Sequence, residues 1–341
     1  MFKELLNKCI NGNVLTESEA NAVMDEIMSG RATPSQIASL LSILRFRGET
    51  IDEMTGFARA MRSHMMALES YDDQVIDTCG TGGDGSSTFN ISTATAIVVS
   101  SLGVKVAKHG NRAVSSKSGS ADVLEYLGIE IQASPEEAKR AMRERGMSFL
   151  FAPFYHSAMK HAVIPRTEIG FRTVFNLLGP LANPARCKKQ VIGVYSPDYA
   201  EKMAYTLRNL GSEHVLFVTG RDGLDEFSIS CETDVVELKN GEIKKFVITP
   251  EDVGLVRGNI KDIQVSSVTA SALLLEQVLN GEGNHSATDI VLFNAGAALY
   301  VAGKTNSISE GVKTAREALQ KGVVQSHFKK LRSKKETRYA R

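Results

Sequence analysis

The sequence predicts an α/β fold in two parts, a small all-helical module followed by a larger domain built on a mostly parallel central sheet. Three observations carry this. Apolar residues recur at helical spacing through residues 1–70. From Gln74 onward, short β-branched runs alternate with glycine-rich turns and helical stretches, the pattern of a largely parallel sheet. The pair Asn240, Gly241 between two strand-like runs adds an antiparallel hairpin.

The first part reads as four short helices. Thr16 and Glu19 form a capping box, in which hydroxyl and carboxylate satisfy orphan backbone donors reciprocally. Ala20, Val23, Met24, Ile27 and Met28 then line one face, Gly30 stops the helix, and Pro34 opens the next, whose stripe is Ile37, Leu40, Leu41 and Leu44. After Glu49 and Thr50, the set Ile51, Met54, Ala58, Met61, Met65 and Leu68 alternates by three and four. Methionines at this spacing read as core or subunit contact, and apolar surface left on the layer is a place for self-association.

In the second part, residues 75–79 and 104–107 read as strands, each followed by a polar Gly/Ser loop and a helix. Residues 129–131 lead to Ser134, Pro135 and Glu137, a cap, a first-turn proline and a capping-box carboxylate in the right order. A strand is expected at 149–152. Residues 191–195, a helix after Pro197 ended by Gly211, and residues 214–219 repeat the β-α-β rhythm. Residues 234–238 and 243–248 flank the hairpin turn, and helices near 266–279, 287–301 and 309–321 close the domain. Residues 165–184 read as one helix that interrupts this rhythm and packs back on the first module, so the expected division is 1–70 with 165–184 packed on it, against 71–164 and 185–341. A cleft between the parts follows, with Arg166 and Arg172 projecting from its wall. Residues six apart on an α-helix lie about 120° out of phase, so these two are not expected to face one ligand.

Composition excludes several classes. Forty Lys and Arg against thirty-nine Asp and Glu leave a net charge of +1, which gives no general field toward nucleic acid or membrane. The basic tail beyond Lys329, including Lys334, Lys335, Arg338 and Arg341, reads as a solvated helix end. Cys9, Cys79, Cys187 and Cys231 show no metal or redox spacing and are expected as free thiols in a reducing cytoplasm. Glu4 lies in the first turn, no apolar run is long enough to span a bilayer, and secretion is not expected.

The chemistry concentrates at three places. Gly80, Thr81, Gly82, Gly83, Asp84 and Gly85 follow a strand and precede a helix opening near Asn90 to Thr93, where glycines let backbone N–H groups reach an anion and the helix N-terminus adds donors. No Gly-Lys-Ser/Thr follows, and the dinucleotide pattern with its acidic residue is absent, so nucleoside triphosphates and NAD are excluded. A second loop, 108–122, leaves the next strand with Lys108, Arg112 and Lys117 among hydroxyls, so two loops at adjacent strand ends could hold one ligand with two phosphate clusters. His109 is equally readable as a ligand contact or as a residue that orients the loop. Asp225 and Glu226, again at a strand's carboxyl end, read as a magnesium site once a polyphosphate lies beside them.

Together with the helix sequence at 166–183, these motifs resemble those of the anthranilate phosphoribosyltransferase family, from the N-terminus to about residue 325. The resemblance implies a fold like the class II nucleoside phosphorylases, a homodimer formed through the helical part, and transfer of 5-phosphoribose from phosphoribosyl pyrophosphate to the amine of anthranilate in tryptophan biosynthesis. It implies that Gly80, Gly83, Asp84, Thr88, Asn90, Ile91, Ser92, Thr93, Lys108, His109, Gly110, Asn111, Arg112, Ala113, Val114, Ser115, Ser116 and Ser120 contact phosphoribosyl pyrophosphate. It further implies that Gly80, Asn111, Ser120 and Arg166 contact anthranilate, and that Ser92, Asp225 and Glu226 hold Mg2+. No general base is expected, because an arylamine is already neutral near neutral pH. Two other readings share the architecture: a pyrimidine nucleoside phosphorylase, which would not need the Asp225, Glu226 pair, and a non-catalytic nucleic-acid-binding relative, which would show steep salt dependence and no turnover.

Overall fold

The computed structural model of the chain describes residues 1–68, 74–113 and 117–332. Four helices come first: α1 (Phe2–Ile10), α2 (Glu17–Met28), α3 (Pro34–Arg47) and α4 (Ile51–His64). Thr16 with Glu19, Thr33 with Gln36 and Thr50 with Glu53 all form capping boxes, so three consecutive starts are fixed by local chemistry.

The α/β part runs β1 (Ile76–Gly80), α5 (Ile91–Ser101), β2 (Val106–Gly110), α6 (Ser120–Tyr126), α7 (Pro135–Arg145), β3 (Met147–Phe151), α8 (Ala152–Tyr155), α9 (Lys160–Ile169), α10 (Val174–Leu181), β4 (Lys189–Gly193), α11 (Pro197–Asn209) and β5 (His214–Gly220). The hairpin β6 (Thr233–Lys239) and β7 (Glu242–Ile248) follows, then α12 (Val268–Asn280), α13 (His285–Val301), α14 (Ile308–Gln320) and α15 (Val323–Arg332). The sheet order is β3-β2-β1-β4-β5-β6-β7, with β1 to β5 parallel and the last two pairings antiparallel. Asn240 and Gly241 have φ of 51° and 83°, the two positive values a type I′ turn requires.

Strand alternation sends neighbouring side chains to two different cores. On β5, Leu216 and Val218 join a cluster built with α5, α12, α13 and α14, whereas Val215 and Phe217 join one shared by α2, α3, α4, α10 and α11. The helical layer therefore has no separate core; its apolar stripe is continuous with one face of the sheet.

Two expectations need correction. The stretch 165–184 is two helices, α9 and α10, because Gly170 takes a left-handed C-cap at φ 69° and stops the first. The six-residue phase relation therefore does not apply to Arg172, which lies beyond the helix end. Residues 129–131 lead into α7 as expected, with one bridge from Gln132 to Leu150 just before it. Lys108, His109 and Gly110 belong to β2 rather than to the loop, since pairing with β3 continues through Gly110 opposite Phe151. Low strand propensity of Lys, His and Gly was overridden by that ladder. Val114, Ser115, Ser116 and the tail residues Lys334, Lys335, Arg338 and Arg341 lie outside the described residues.

Candidate active site

The sheet order reverses direction between β1 and β4, and at such a switch point the loops leaving adjacent strands diverge and open a crevice. The loops after β1, β2, β4 and β5 all leave the same edge there. Asp225, beyond β5, fills the gap between β1 and β4. A Cβ on Gly80 would lie 2.6 Å from its Oδ2, and one on Gly193 would lie 1.6 Å from its carbonyl oxygen. Both strand ends must be glycine for that carboxylate to approach. Gly82 N–H donates to Asp225 Oδ2 at 2.9 Å, so one donor of the glycine-rich loop is already committed to shaping the site.

Glu226 faces the N-terminus of α5, where the Ser92 N–H favours its charged form. Burial and the charge of Asp84 push Asp225 up to about 7, and burial with the Asp225 charge raises Glu226 well above the ordinary carboxylate range. The buried Lys108 amine opposes this from below, donating to Thr78 O at 2.6 Å and Ser92 Oγ at 3.2 Å. The three metal ligands implied by resemblance, Ser92, Asp225 and Glu226, are thus brought together with Lys108 as a fixed counter-charge.

Do these residues fit a magnesium ion? Among the described residues no cluster of three or more His, Cys, Asp or Glu side chains could hold a metal alone. Two partly desolvated carboxylates with raised pKa values, facing a crevice, suit a hard cation that takes its remaining ligands from phosphate and water. The donor set fits Mg2+ on that condition.

Asn90 ties the elements around the crevice. Its Oδ1 accepts from Ser118 Oγ at 3.0 Å and Ser271 Oγ at 2.7 Å, joining the first loop, the second loop and α12. Thr88 bridges to Gln264, and the Thr93 hydroxyl is fully buried without a partner. In the second loop Arg112 is held by Asp122 at 2.8 Å and Glu125 at 2.9 Å, Ala113 N–H also goes to Asp122, and the Ser120 hydroxyl donates to Asn111 O. A Cβ on Gly110 would meet Ser120 Oγ at 2.4 Å. This loop's described polar groups are spent largely on one another.

Sequence reasoning missed two residues, His156 and Asp77. His156 stacks near His109, ring centroids 5.2 Å apart, and burial holds the two at about 4 and about 3, so both are neutral. The carbonyls of Gly179 and Ala182 in the α10 segment favour the protonated forms of His109 and His156 less than burial opposes them, and among the described residues each Nε2 is buried without a hydrogen-bond partner. Asp77 is fully buried on β1, accepting from Asn183 Nδ2 at 2.7 Å and from His109 N–H at 3.1 Å, which pins β2 and the turn after α10 to β1. A carboxylate within an apolar strand was its one sequence signal; His156 had none. Arg166 sits half-buried over the Phe175 ring at 5.2 Å, with no hydrogen bond or ion pair among the described residues.

A glycosyl transferase family model for the helical bundle domain matches residues 3–65, and one for the a/b domain matches residues 72–325. An anthranilate phosphoribosyltransferase from Geobacillus sp. (strain WCH70) is 67% identical over 100% of both chains. The chain belongs to the anthranilate phosphoribosyltransferase family. Among solved structures, the family member from Thermus thermophilus is 43% identical and superposes with a TM-score of 0.90, covering 96% of this chain and 97% of that one. The Saccharomyces cerevisiae member, in complex with PRPP and Mg, is 27% identical with a TM-score of 0.87 over 97% and 96%. A fold of an N-terminal helical bundle and a large α/β domain is thus a property of this phosphoribosyltransferase family and of this chain alike.

Proposed function

We propose that this chain transfers the 5-phosphoribosyl group from phosphoribosyl pyrophosphate to the amine of anthranilate, giving N-(5-phosphoribosyl)anthranilate and pyrophosphate. The observation that carries the reading is the carboxylate pair at the β1/β4 switch point, wrapped by the glycine-rich loop and set on the N-terminus of α5. Magnesium, held by Asp225, Glu226 and the Ser92 hydroxyl together with phosphate oxygens, would neutralise the leaving pyrophosphate.

The chain's own groups supply the rest. Backbone donors of Gly80 to Asp84 and of the α5 N-terminus hold negative charge as the anomeric bond breaks, and their fixed placement favours the charge-separated transition state. Lys108 partly offsets the burial that raises Glu226 and fixes Ser92. Arg166, half-buried and unpaired among the described residues, binds the anthranilate carboxylate bidentately and so aligns the amine, with Asn111 and Ser120 as further acceptor contacts. His109 and His156, both buried and neutral, do not act as bases. The remaining loop residues, Thr88, Ile91, Thr93, Gly110, Arg112 and Ala113, border the phosphoribosyl end in this reading. We also read the chain as a cytoplasmic homodimer joined through the helical layer, where Phe46 is 96% exposed. No helix among the described residues is long and apolar enough to cross a membrane.

The test is loss of anthranilate fluorescence on adding phosphoribosyl pyrophosphate and Mg2+. Loss that requires both substrates and stops with EDTA supports the reading; absence of turnover refutes it. Sedimentation of the purified chain tests the dimer.

A further inference from the structure

Arg172 is placed where no role has been assigned to it. It follows the left-handed turn at Gly170, is exposed, and stacks its guanidinium over the Tyr195 ring at 4.6 Å. A Cβ on Gly83 would lie 3.0 Å from its Nε and 3.3 Å from its Nη2, so the glycine-rich loop is moulded around this group. Among the described residues it makes no hydrogen bond and no ion pair. Stacking engages the face of a guanidinium and leaves its in-plane N–H donors free.

The platform beneath it is itself braced. Tyr195 N–H donates to Thr81 Oγ1 at 3.2 Å, the Tyr195 and Tyr199 rings lie 5.6 Å apart, and Tyr199 OH accepts from Arg45 of α3 at 3.3 Å. A surface arginine stacked only for packing would not need a glycine at φ 77° under it.

We propose that Arg172 is a second guanidinium of the site, and that it binds the pyrophosphate end of the donor substrate while Arg166 serves the acceptor's carboxylate. The assignment rests on the proposed function for the name of the donor, and on geometry for the anion class. Gly83 and Asp225 flank Arg172, whose charge helps hold the Asp225 carboxyl down, and the Mg-bearing end of a polyphosphate belongs there. Held by a ring rather than an acid, the guanidinium needs no partner displaced before it grips.

The experiment is calorimetric titration of magnesium pyrophosphate into wild type, Arg172→Gln, Arg172→Lys and Tyr195→Leu, alongside steady-state kinetics in both substrates. A lost charge-assisted bidentate contact corresponds to about a 10- to 100-fold weaker complex. Arg172→Gln should weaken pyrophosphate binding and raise KM for phosphoribosyl pyrophosphate by that factor while KM for anthranilate stays within about twofold. Arg172→Lys should recover part of the affinity, and Tyr195→Leu should lose part of it. Unchanged pyrophosphate affinity in a folded Arg172→Gln, judged by its melting curve, overturns the assignment, as does an effect confined to anthranilate. Failure of the functional reading is a separate result: wild type would then bind pyrophosphate through Arg172 yet show no turnover.

Discussion

The two anion loops leave neighbouring parallel strands and look alike in sequence, yet they spend their polar groups differently. In the first, glycines clear space, so that Asp225 enters from β5, Arg172 leans in from beyond α9, and one N–H is used to hold the carboxylate. At the second, the charges of Lys108, on the strand that leads into it, and of Arg112 are used inside the protein. Lys108 points down to Thr78 and Ser92, Arg112 closes a pair of acids, and Ser118 is bound to Asn90. Cations in a loop are therefore not the same as cations available to a ligand: the glycine loop presents its charge through neighbours, and the basic loop uses much of its own to keep its shape.

The largest expected effect breaks the first loop's function outright. Asp225→Asn with Glu226→Gln should lower kcat/KM by roughly a thousandfold or more. Metal-free protein should at the same time melt higher, because two adjacent, partly desolvated carboxylates no longer repel; a melting curve in EDTA checks the sign. Next, Gly80→Ala places a methyl 2.6 Å from Asp225 Oδ2, and the displaced carboxylate should reduce turnover by about 100-fold with a much smaller change in stability.

The second loop should respond in stability first. Lys108→Met removes a buried charge that faces three carboxylates, Asp77, Glu226 and Asp225, and leaves Thr78 O unpaired, at a cost of about 3 kcal/mol in urea unfolding. Acid should also act on this side. His109 and His156 have folded pKa values lowered to about 3 and about 4 from 6.5, so below 6.5 the unfolded chain binds more protons. Their stabilisation is complete above that value and is lost as pH falls, by up to about 1.4 kcal/mol per pH unit for each ring. Unfolding curves from neutral pH down to about pH 5 should show that slope, flattened in a His109→Gln, His156→Gln variant. The smallest effect belongs to Arg112→Gln, at most about 1 kcal/mol, since its ion pairs are largely exposed. A loss of phosphoribosyl pyrophosphate affinity beyond about tenfold there would show that substrate competes Arg112 away from Asp122 and Glu125, and would erase the contrast between the loops.

Sequence alone determined the features that depend on near neighbours. The helix starts at Thr16 and Ser134, the turn at Asn240 and Gly241, the strand-loop-helix placement of Gly80 to Gly85 and the rhythm of the parallel sheet follow from capping, φ preference and periodicity over a few residues. The motifs were specific enough to carry the family. What depends on distant chain was not legible. Whether 165–184 was one helix or two turned on a glycine that can sit within a helix or end one, and packing on the helical layer decided it. That Arg172 would meet Gly83, that His156 would reach His109, and that Lys108 would serve as a buried counter-charge rather than a loop cation are facts of sheet order. They arise because β4 inserts beside β1 and folds later residues over the first loop, a juxtaposition that no local preference encodes.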